Sequence, residues 1–224
     1  LGYNNFLEKF YRAAPIGITV EGSNTLTRSL IIFGQGLNKS HPYIFEILDS
    51  VLENDKARFK QKFIGMLSNI AILYLKSFNF SRALEQQIND FALLVNFVAL
   101  KGGKLKSEQM ISGDMADIFS NLYLAVSVNY YENTYNVSSK LKDYIELKLI
   151  NENITIINRV IDNLGYERFI LQHLKLKPKS IKYKDEKEIF NLVFSNRKII
   201  EHIKKDIVID NILKDMDFIN SGNI

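Results

Sequence analysis

The sequence contains no cysteine, only three prolines and only three histidines in 224 residues. Without cysteine, disulfides, thiolate nucleophiles and zinc–cysteine sites are excluded. His41, His173 and His202 lie far apart and show no metal-ligand spacing such as H-E-x-x-H, so we expect no metal site. The chain also lacks the glycine-rich G-x-G-x-x-G motif and the P-loop. Several large enzyme classes are therefore disfavoured at the outset.

Long apolar runs and a strong charge imbalance are missing as well. No stretch approaches the roughly 18 apolar residues of a membrane-spanning helix. The formal net charge is +4, with 29 basic and 25 acidic residues intermixed, which does not indicate a nucleic-acid-binding protein. Hydrophobic residues make up 46% and charged residues 24% of the chain, as in globular proteins. We predict a soluble, cytoplasmic protein.

The scarcity of glycine and proline favours long helices, and the spacing of apolar residues agrees. Apolar residues recur every three or four positions within 59–74, 84–98, 115–126, 150–164 and 189–207. No run of alternating polar and apolar residues predicts a strand. The predicted fold class is all-α, a helical bundle. We place a boundary after Leu100, where Gly102-Gly103 ends a helix, and thus predict two regions, 1–100 and 101–224.

One segment differs in character from the rest. Glu21-Gly22 follows a short apolar approach, and Ser23 or Asn24 can cap the helix that begins there. A carboxylate at this position commonly compensates the helix dipole. Taken alone, these residue types do not distinguish that role from a functional one.

The wider segment resembles a known family. Residues Thr19–Gly36 read TVEGSNTLTRSLIIFGQG and His41–Tyr43 read HPY, similar to the bacterial branch of the acyl-CoA dehydrogenases. Gly113-Asp114 and Ile118–Ala125 are more loosely similar to the C-terminal helical extension of that branch. The resemblance is dense over Thr19–Tyr43 and sparse beyond it. It implies that region 1–100 ends the family's C-terminal helical domain and that 101–224 is the extension.

The resemblance also implies a reaction, the α,β-dehydrogenation of a fatty acyl-CoA to the trans-2-enoyl-CoA in fatty acid β-oxidation, with FAD as acceptor. Glu21 matches the base that removes the α-proton, and its backbone N–H matches a donor to the thioester oxygen. Gly22 matches a substrate-binding position. Ser23 and Thr25 match flavin-binding positions, although the family more often has Thr and Gln there.

The implied partners are the family's N-terminal and middle domains, the fatty acyl-CoA and, in the complete enzyme, further copies of the same subunit. The chain begins at Leu1 rather than at a methionine, which suggests a cut through a larger protein or a trimmed leader. Without those domains we expect the isolated chain to be inactive. The alternative is a non-catalytic helical module that binds a partner or stabilises an oligomer, or an inactive remnant of such an enzyme.

Three further features have two interpretations each. Arg28 either belongs to the catalytic segment or pairs with a carboxylate inside the subunit. His41 is expected to act at a helix start or in packing rather than in catalysis. The lysine-rich segment Lys175–Lys187 is expected to be a solvated loop, the alternative being contact with an anionic membrane surface or an acidic partner.

Overall fold

The structure, a computed structural model, describes residues 11–17, 26–79 and 83–204. Regular structure in these ranges is helical throughout and contains no strand, which confirms the all-α prediction. Backbone contacts divide the chain into two compact units. Of the described residues, the larger unit holds 26–79 and 83–186, and the smaller holds 11–17 and 187–204.

The larger unit is a sequence of helices joined by short connections. Its elements are, in order, a π-helix (Thr27–Gln35), α1 (Gly36–Ser40), α2 (Ile44–Leu52), α3 (Lys56–Lys76), α4 (Leu84–Ala99), a 3-10 helix (Gly102–Lys106), α5 (Gln109–Tyr135), α6 (Ser139–Asp162), α7 (Glu167–Leu171) and a 3-10 turn (Gln172–Leu174). Helix α8 (Tyr183–Ser195) begins in this unit and continues into the smaller one, which also contains α9 (Arg197–Lys204).

Helices α5 and α6 form an antiparallel hairpin, the longest pair in the described chain. Asn136 ends α5 in the left-handed conformation, with φ 48° and ψ 52°, which asparagine tolerates better than most residues. Ser138 then caps α6, its Oγ accepting a hydrogen bond from the Leu141 N–H at 3.3 Å. Further along, Asn129 Nδ2 donates to Glu146 Oε2 at 2.8 Å. The turn and this cross-link fix the register of the two helices.

The core of the larger unit lies where α4 meets this hairpin. The π-helix and the segment after α6 also contribute apolar side chains to it. Its buried members are Phe33, Leu93, Leu94, Phe97, Val98, Ile111, Met115, Ala116, Ile118, Leu122, Ile156, Ile157, Val160, Ile161, Leu164, Leu171 and Leu174. The apolar faces that the spacing predicted within 84–98, 115–126 and 150–164 all contribute to this cluster.

Helix α3 contrasts with the core, because much of its apolar face is open. Phe63, Ile64, Leu67 and Leu75 are exposed to 37%, 51%, 48% and 73%. The helix is fixed at its start, where Asp55 Oδ1 accepts hydrogen bonds from the backbone N–H groups of residues 57 and 58. The 59–74 periodicity thus predicted a helix correctly, but within this chain the helix leaves a large apolar surface uncovered.

One boundary differs from the sequence expectation. The apolar run predicted from Ile189 to Ile207 is broken at Asn196, whose side-chain oxygen accepts a hydrogen bond from the Lys198 N–H at 3.1 Å. An asparagine that bonds to the backbone two residues ahead favours a helix start over helix continuation.

The lysine-rich segment has no regular secondary structure up to Lys182, and its last lysines lie on α8. Two asparagines of α6, Asn151 and Asn158, hold its backbone. Asn151 donates to the Lys179 carbonyl and accepts from the Lys179 N–H, both at 2.7 Å. Asn158 donates to the Leu176 carbonyl at 2.8 Å. The segment is therefore attached along a helix through its main chain rather than being a detached loop.

None of the described helices combines the length and the apolar composition needed to cross a membrane.

Helix α4 brings polar side chains into the interior, and Asp90 is the one that titrates unusually. Asp90 is 6% exposed and accepts a hydrogen bond from Gln86 Nε2 at 2.7 Å. Burial raises the pKa of Asp90 from 3.8 to about 6, against the opposing effect of the hydrogen bonds from Gln86 and Asn89. Folding thus shifts the titration of Asp90 toward its protonated form.

We expect Asp90→Asn to stabilise the chain at high pH. Because the folded pKa lies above the unfolded one, wild-type stability falls as pH rises from about 4 to about 6 and stays low above that. The substituted amide still accepts from Gln86 and carries no charge, so the gain at pH 8 should be on the order of 2 kcal/mol. Urea unfolding at pH 4.5 and pH 8 measures this gain in the free energy of unfolding.

The control, the exposed Glu152→Gln, should change the free energy of unfolding at neither pH. An equal gain for Asp90→Asn at both pH values would contradict the raised pKa of Asp90.

Candidate functional site

The residues that the family resemblance assigns to chemistry are Glu21, Gly22, Ser23 and Thr25, and all four lie outside the described residues. Their assignment stays a prediction. The described chain resumes at Leu26, at the start of the helix that follows them. What the structure provides is the support for that helix.

This helix is a π-helix over Thr27–Gln35, with a wider turn than an α-helix. The N–H of Gly36 donates to the Ile31 carbonyl, five residues back, before α1 continues in the ordinary form. A Cβ at Gly34 would lie 3.3 Å from the Ser29 carbonyl oxygen, so the missing side chain suits the close turn. π-Helices are rare and are found frequently at functional sites. The geometry thus marks the segment directly after Glu21 as unusual.

Arg28 anchors the π-helix to α5. Its Nε donates to Asp117 Oδ1 at 2.8 Å, and its Nη2 donates to Asp117 Oδ2, so the pair is bidentate. The guanidinium lies over Gly113, one turn earlier on α5, where an added Cβ would be 3.4 Å from Nη2. Arg28 therefore does pair with a carboxylate inside the chain, as one of its two interpretations expected.

A second arginine uses the same face of α5. Arg159 of α6 donates from Nε and Nη2 to the two carboxylate oxygens of Asp114, at 2.8 and 2.6 Å. The hydrogen bond to Asp117 raises the pKa of Arg28, and the charge of Asp114 raises it further, while Arg159 opposes this. Two carboxylates on α5 thus hold one arginine from the π-helix and one from α6. We call Arg28, Asp114, Asp117 and Arg159 the α5 charge cluster.

The His41 side chain binds backbone N–H groups at a helix start, as the sequence analysis expected. Its Nδ1 accepts hydrogen bonds from the backbone N–H groups of Tyr43 and Ile44, both at 3.2 Å, at the beginning of α2. Nε2 lies 3.2 Å from Asn96 Oδ1 on α4 and must carry the proton, since Nδ1 is the acceptor. Burial lowers the pKa of His41, which favours this neutral form.

Residues 74–165 match the family described as acyl-CoA dehydrogenase, C-terminal, bacterial type. This segment is therefore similar to that family. It extends from the end of α3 to just beyond α6 and so includes α4 and the whole α5–α6 hairpin. No solved structure matches the chain significantly. The family segment crosses residue 100, and the division into 1–100 and 101–224 stays a prediction.

The segment that matches the family model contains three of the four members of the α5 charge cluster, with Arg28 as the exception. Sequence reasoning noticed Gly113-Asp114 as part of a motif but missed Asp117 and Arg159 as partners. The available signal was a pair of acidic residues three positions apart on a largely apolar helix. Among the described residues, no group of three or more His, Asp or Glu side chains is placed to hold a metal ion.

The Arg28–Asp117 pair should show measurable coupling in a double-mutant cycle. Arg28→Gln, Asp117→Asn and the double variant, compared by urea unfolding, should give a coupling of about 0.5–1 kcal/mol, because the pair is bidentate but partly exposed, at 45% and 35%. Salt at 1 M should reduce it. The control is Arg197–Glu201, an i,i+4 pair exposed to 91% and 64%. Equal coupling in the two pairs would show that Arg28 is not a specific anchor.

Proposed function

We propose that the chain is the C-terminal part of an FAD-dependent acyl-CoA dehydrogenase that converts a fatty acyl-CoA to the trans-2-enoyl-CoA in fatty acid β-oxidation, with Glu21 as the base. The observation that supports this most is the contact between Arg28 and Asp117. It joins the helix that follows the Glu21 segment in sequence to the segment that matches the family, and residues 26–43 of the dense part of the resemblance lie in the same compact unit as that segment.

The chemistry accounts for the residue types in the Glu21 segment. The α-proton of a thioester is weakly acidic, so its removal needs a positioned carboxylate and stabilisation of the enolate oxygen. The Glu21 side chain supplies the carboxylate, and the Glu21 N–H contributes to the stabilisation of the enolate oxygen. Gly22 lets the acyl chain approach the backbone. A water-free site raises the pKa of such a carboxyl toward the working range.

In this proposal Ser23 and Thr25 would help to hold FAD, which would supply the hydride acceptor for the β-carbon. The hydroxyls of Ser23 and Thr25 are suitable donors and acceptors for the polar edges of a flavin. The remaining flavin and CoA contacts belong to the N-terminal and middle domains in this proposal, and the complete enzyme is a homo-oligomer in the cytoplasm. The open apolar face of α3 supports the need for such neighbours, because exposed apolar surface of this kind commonly marks an interface.

That open face fits the second candidate equally well, a non-catalytic helical module or an inactive remnant that binds a partner. The two candidates differ in flavin binding. An enzyme half should bind FAD when it is mixed with the N-terminal and middle domains, and the mixture should show flavin absorbance after gel filtration. A module or remnant should not bind FAD in any pairing.

Glu21→Gln in the enzyme assembled with those domains should lower the turnover of a fatty acyl-CoA by at least about a hundredfold, since a general base is lost. FAD binding and the thermal unfolding midpoint should not change, because the substitution is nearly isosteric. The control, Glu152→Gln, replaces an exposed carboxylate on α6 and should leave turnover unchanged. Turnover of Glu21→Gln within threefold of wild type would remove Glu21 as the base.

A further inference from the structure

Ser77, at the end of α3, contacts His173, which lies in the 3-10 turn after α7 and 96 residues further along the chain. Ser77 Oγ is 2.6 Å from His173 Nε2. Ser77 Oγ is also 2.6 Å from the Tyr74 carbonyl oxygen, and His173 Nδ1 is 3.0 Å from the Ile170 carbonyl oxygen. These three contacts form a chain from α3 to α7. Ser77 is 3% exposed, so bulk water does not compete for its hydroxyl.

The protonation state of His173 decides how many of these contacts are hydrogen bonds. A carbonyl only accepts, so the Tyr74 contact requires the Ser77 hydroxyl proton and the Ile170 contact requires a proton on Nδ1. The hydroxyl has a single proton, so Nε2 must then donate to Ser77 Oγ. All three bonds therefore exist together only when both ring nitrogens carry a proton, which is the imidazolium form.

A neutral imidazole leaves one contact unfavourable in each tautomer. With the proton on Nδ1, the Ser77 hydroxyl donates either to Nε2 or to the Tyr74 carbonyl, and the other acceptor lies 2.6 Å from Oγ with no hydrogen between them. With the proton on Nε2, the Nδ1 lone pair faces the Ile170 carbonyl at 3.0 Å. A polar group left without a partner in the interior costs free energy, so loss of the proton weakens this attachment.

The environment of the imidazole ring acts on its charge in both directions. Burial lowers the pKa of His173, and the hydrogen bond to the Ile170 carbonyl opposes this effect. The ring of Phe78 is stacked on the imidazole with the centroids 4.5 Å apart, and the Tyr74 ring meets it edge-on at 5.0 Å. The face of an aromatic ring attracts a cation, so the Phe78 stack also favours the imidazolium.

Charged side chains do not determine this titration. Tyr74 is the titratable residue whose ring contacts the imidazole. Among the described residues, no charged side chain contributes to the pKa of His173. The Asp162 carboxylate of α6 is paired with Lys175 at 2.6 Å. The charged residues on adjoining parts of the chain are Lys76 on α3, Arg159 and Asp162 on α6, Glu167 and Arg168 on α7, and Lys175 after the turn.

We propose that Ser77 and His173 form a proton-dependent latch, which attaches the 3-10 turn after α7 to the end of α3 and is complete only when His173 is protonated. The inference rests on the number of protons that the three contacts need, and it is independent of the assignment of Glu21. Leu171 and Leu174 are buried in the core at every pH. The latch therefore changes how firmly the turn is attached and not whether the chain folds.

Amide hydrogen exchange of the full chain, followed by NMR between pH 8 and pH 5, tests the proposal. The reporter is the Lys175 N–H, which donates to the Gln172 carbonyl at 3.1 Å across the turn that contains His173. Its protection factor should rise at least about fivefold on acidification, because one hydrogen bond is gained. The midpoint should coincide with the titration of the His173 ring resonances. A protection factor that stays constant or falls on acidification would overturn the proposal.

The control amide is that of Ser107, which donates to the Lys104 carbonyl at 3.0 Å in the other 3-10 helix. Its protection factor should not follow the titration of His173. A parallel rise at Ser107 would show a general effect of pH on the chain and would count against a latch.

Ser77→Ala removes the acceptor of Nε2, and it should abolish the rise at Lys175 and lower the pKa of His173. Ser68→Ala is the matched control on α3, since Ser68 Oγ also donates to a carbonyl, that of Ile64 at 3.0 Å. It should behave like wild type. If Ser77→Ala does not fold, His173→Gln replaces it, because a glutamine amide donates to Ser77 at every pH. Wild-type pH dependence in either folded variant would refute the latch.

Asp90→Asn separates the latch from a second group, because the pKa of Asp90 is raised to about 6. Helix α4 is bonded to the end of α3 through Asn89, whose Nδ2 donates to the Leu73 carbonyl at 3.2 Å. A change in the charge of Asp90 can therefore affect the same end of α3. The rise at Lys175 should persist in Asp90→Asn. Its loss there would assign the pH dependence to Asp90 and overturn the latch.

Discussion

The contact between Arg28 and Asp117 joins parts of the chain that are 89 residues apart in sequence. One end lies seven residues after Glu21, and the other is in the middle of the family segment. A planar guanidinium that meets a carboxylate through two parallel bonds fixes direction as well as distance, which a lysine would not do. Gly113 lies beside the guanidinium, where an added Cβ would be in van der Waals contact at 3.4 Å from Nη2. The bidentate pair of Arg28 and Asp117 thus helps to fix the position of the π-helix on α5.

On the same face of α5, Asp114 pairs with Arg159 of α6. The second helix of the hairpin and the π-helix are thus both bound to this face by an arginine–aspartate pair. Charges of this kind contribute little stability when they are exposed, and the apolar core under α4, α5 and α6 supplies most of it. The cluster specifies which helix lies where, while burial of the core stabilises the arrangement. A loss of the cluster should therefore affect geometry more than folding.

Periodicity alone was enough to predict the helical class and the helices over 59–74, 84–98, 115–126 and 150–164, because apolar residues three and four positions apart share one face of a helix. It could not predict the break at Asn196, which depends on one side-chain-to-backbone hydrogen bond. Periodicity could also not predict the ion pairs of Arg28 and Arg159, since tertiary packing brings together partners that are far apart in sequence. The exposed face of α3 shows a further limit: apolar spacing predicts a helix but not what covers it. The assignment of Glu21 rested on family resemblance throughout.

The two asparagines of α6 that hold residues 175–182 have a consequence for how that stretch tolerates change. Asn151 and Asn158 recognise only peptide groups, which every residue type except proline presents in full. These bonds therefore do not depend on the side chains of Leu176 and Lys179, whereas the ion pair between Lys175 and Asp162, at 2.6 Å, does require a cation. The charge at position 179 can thus change without loss of the two asparagine attachments.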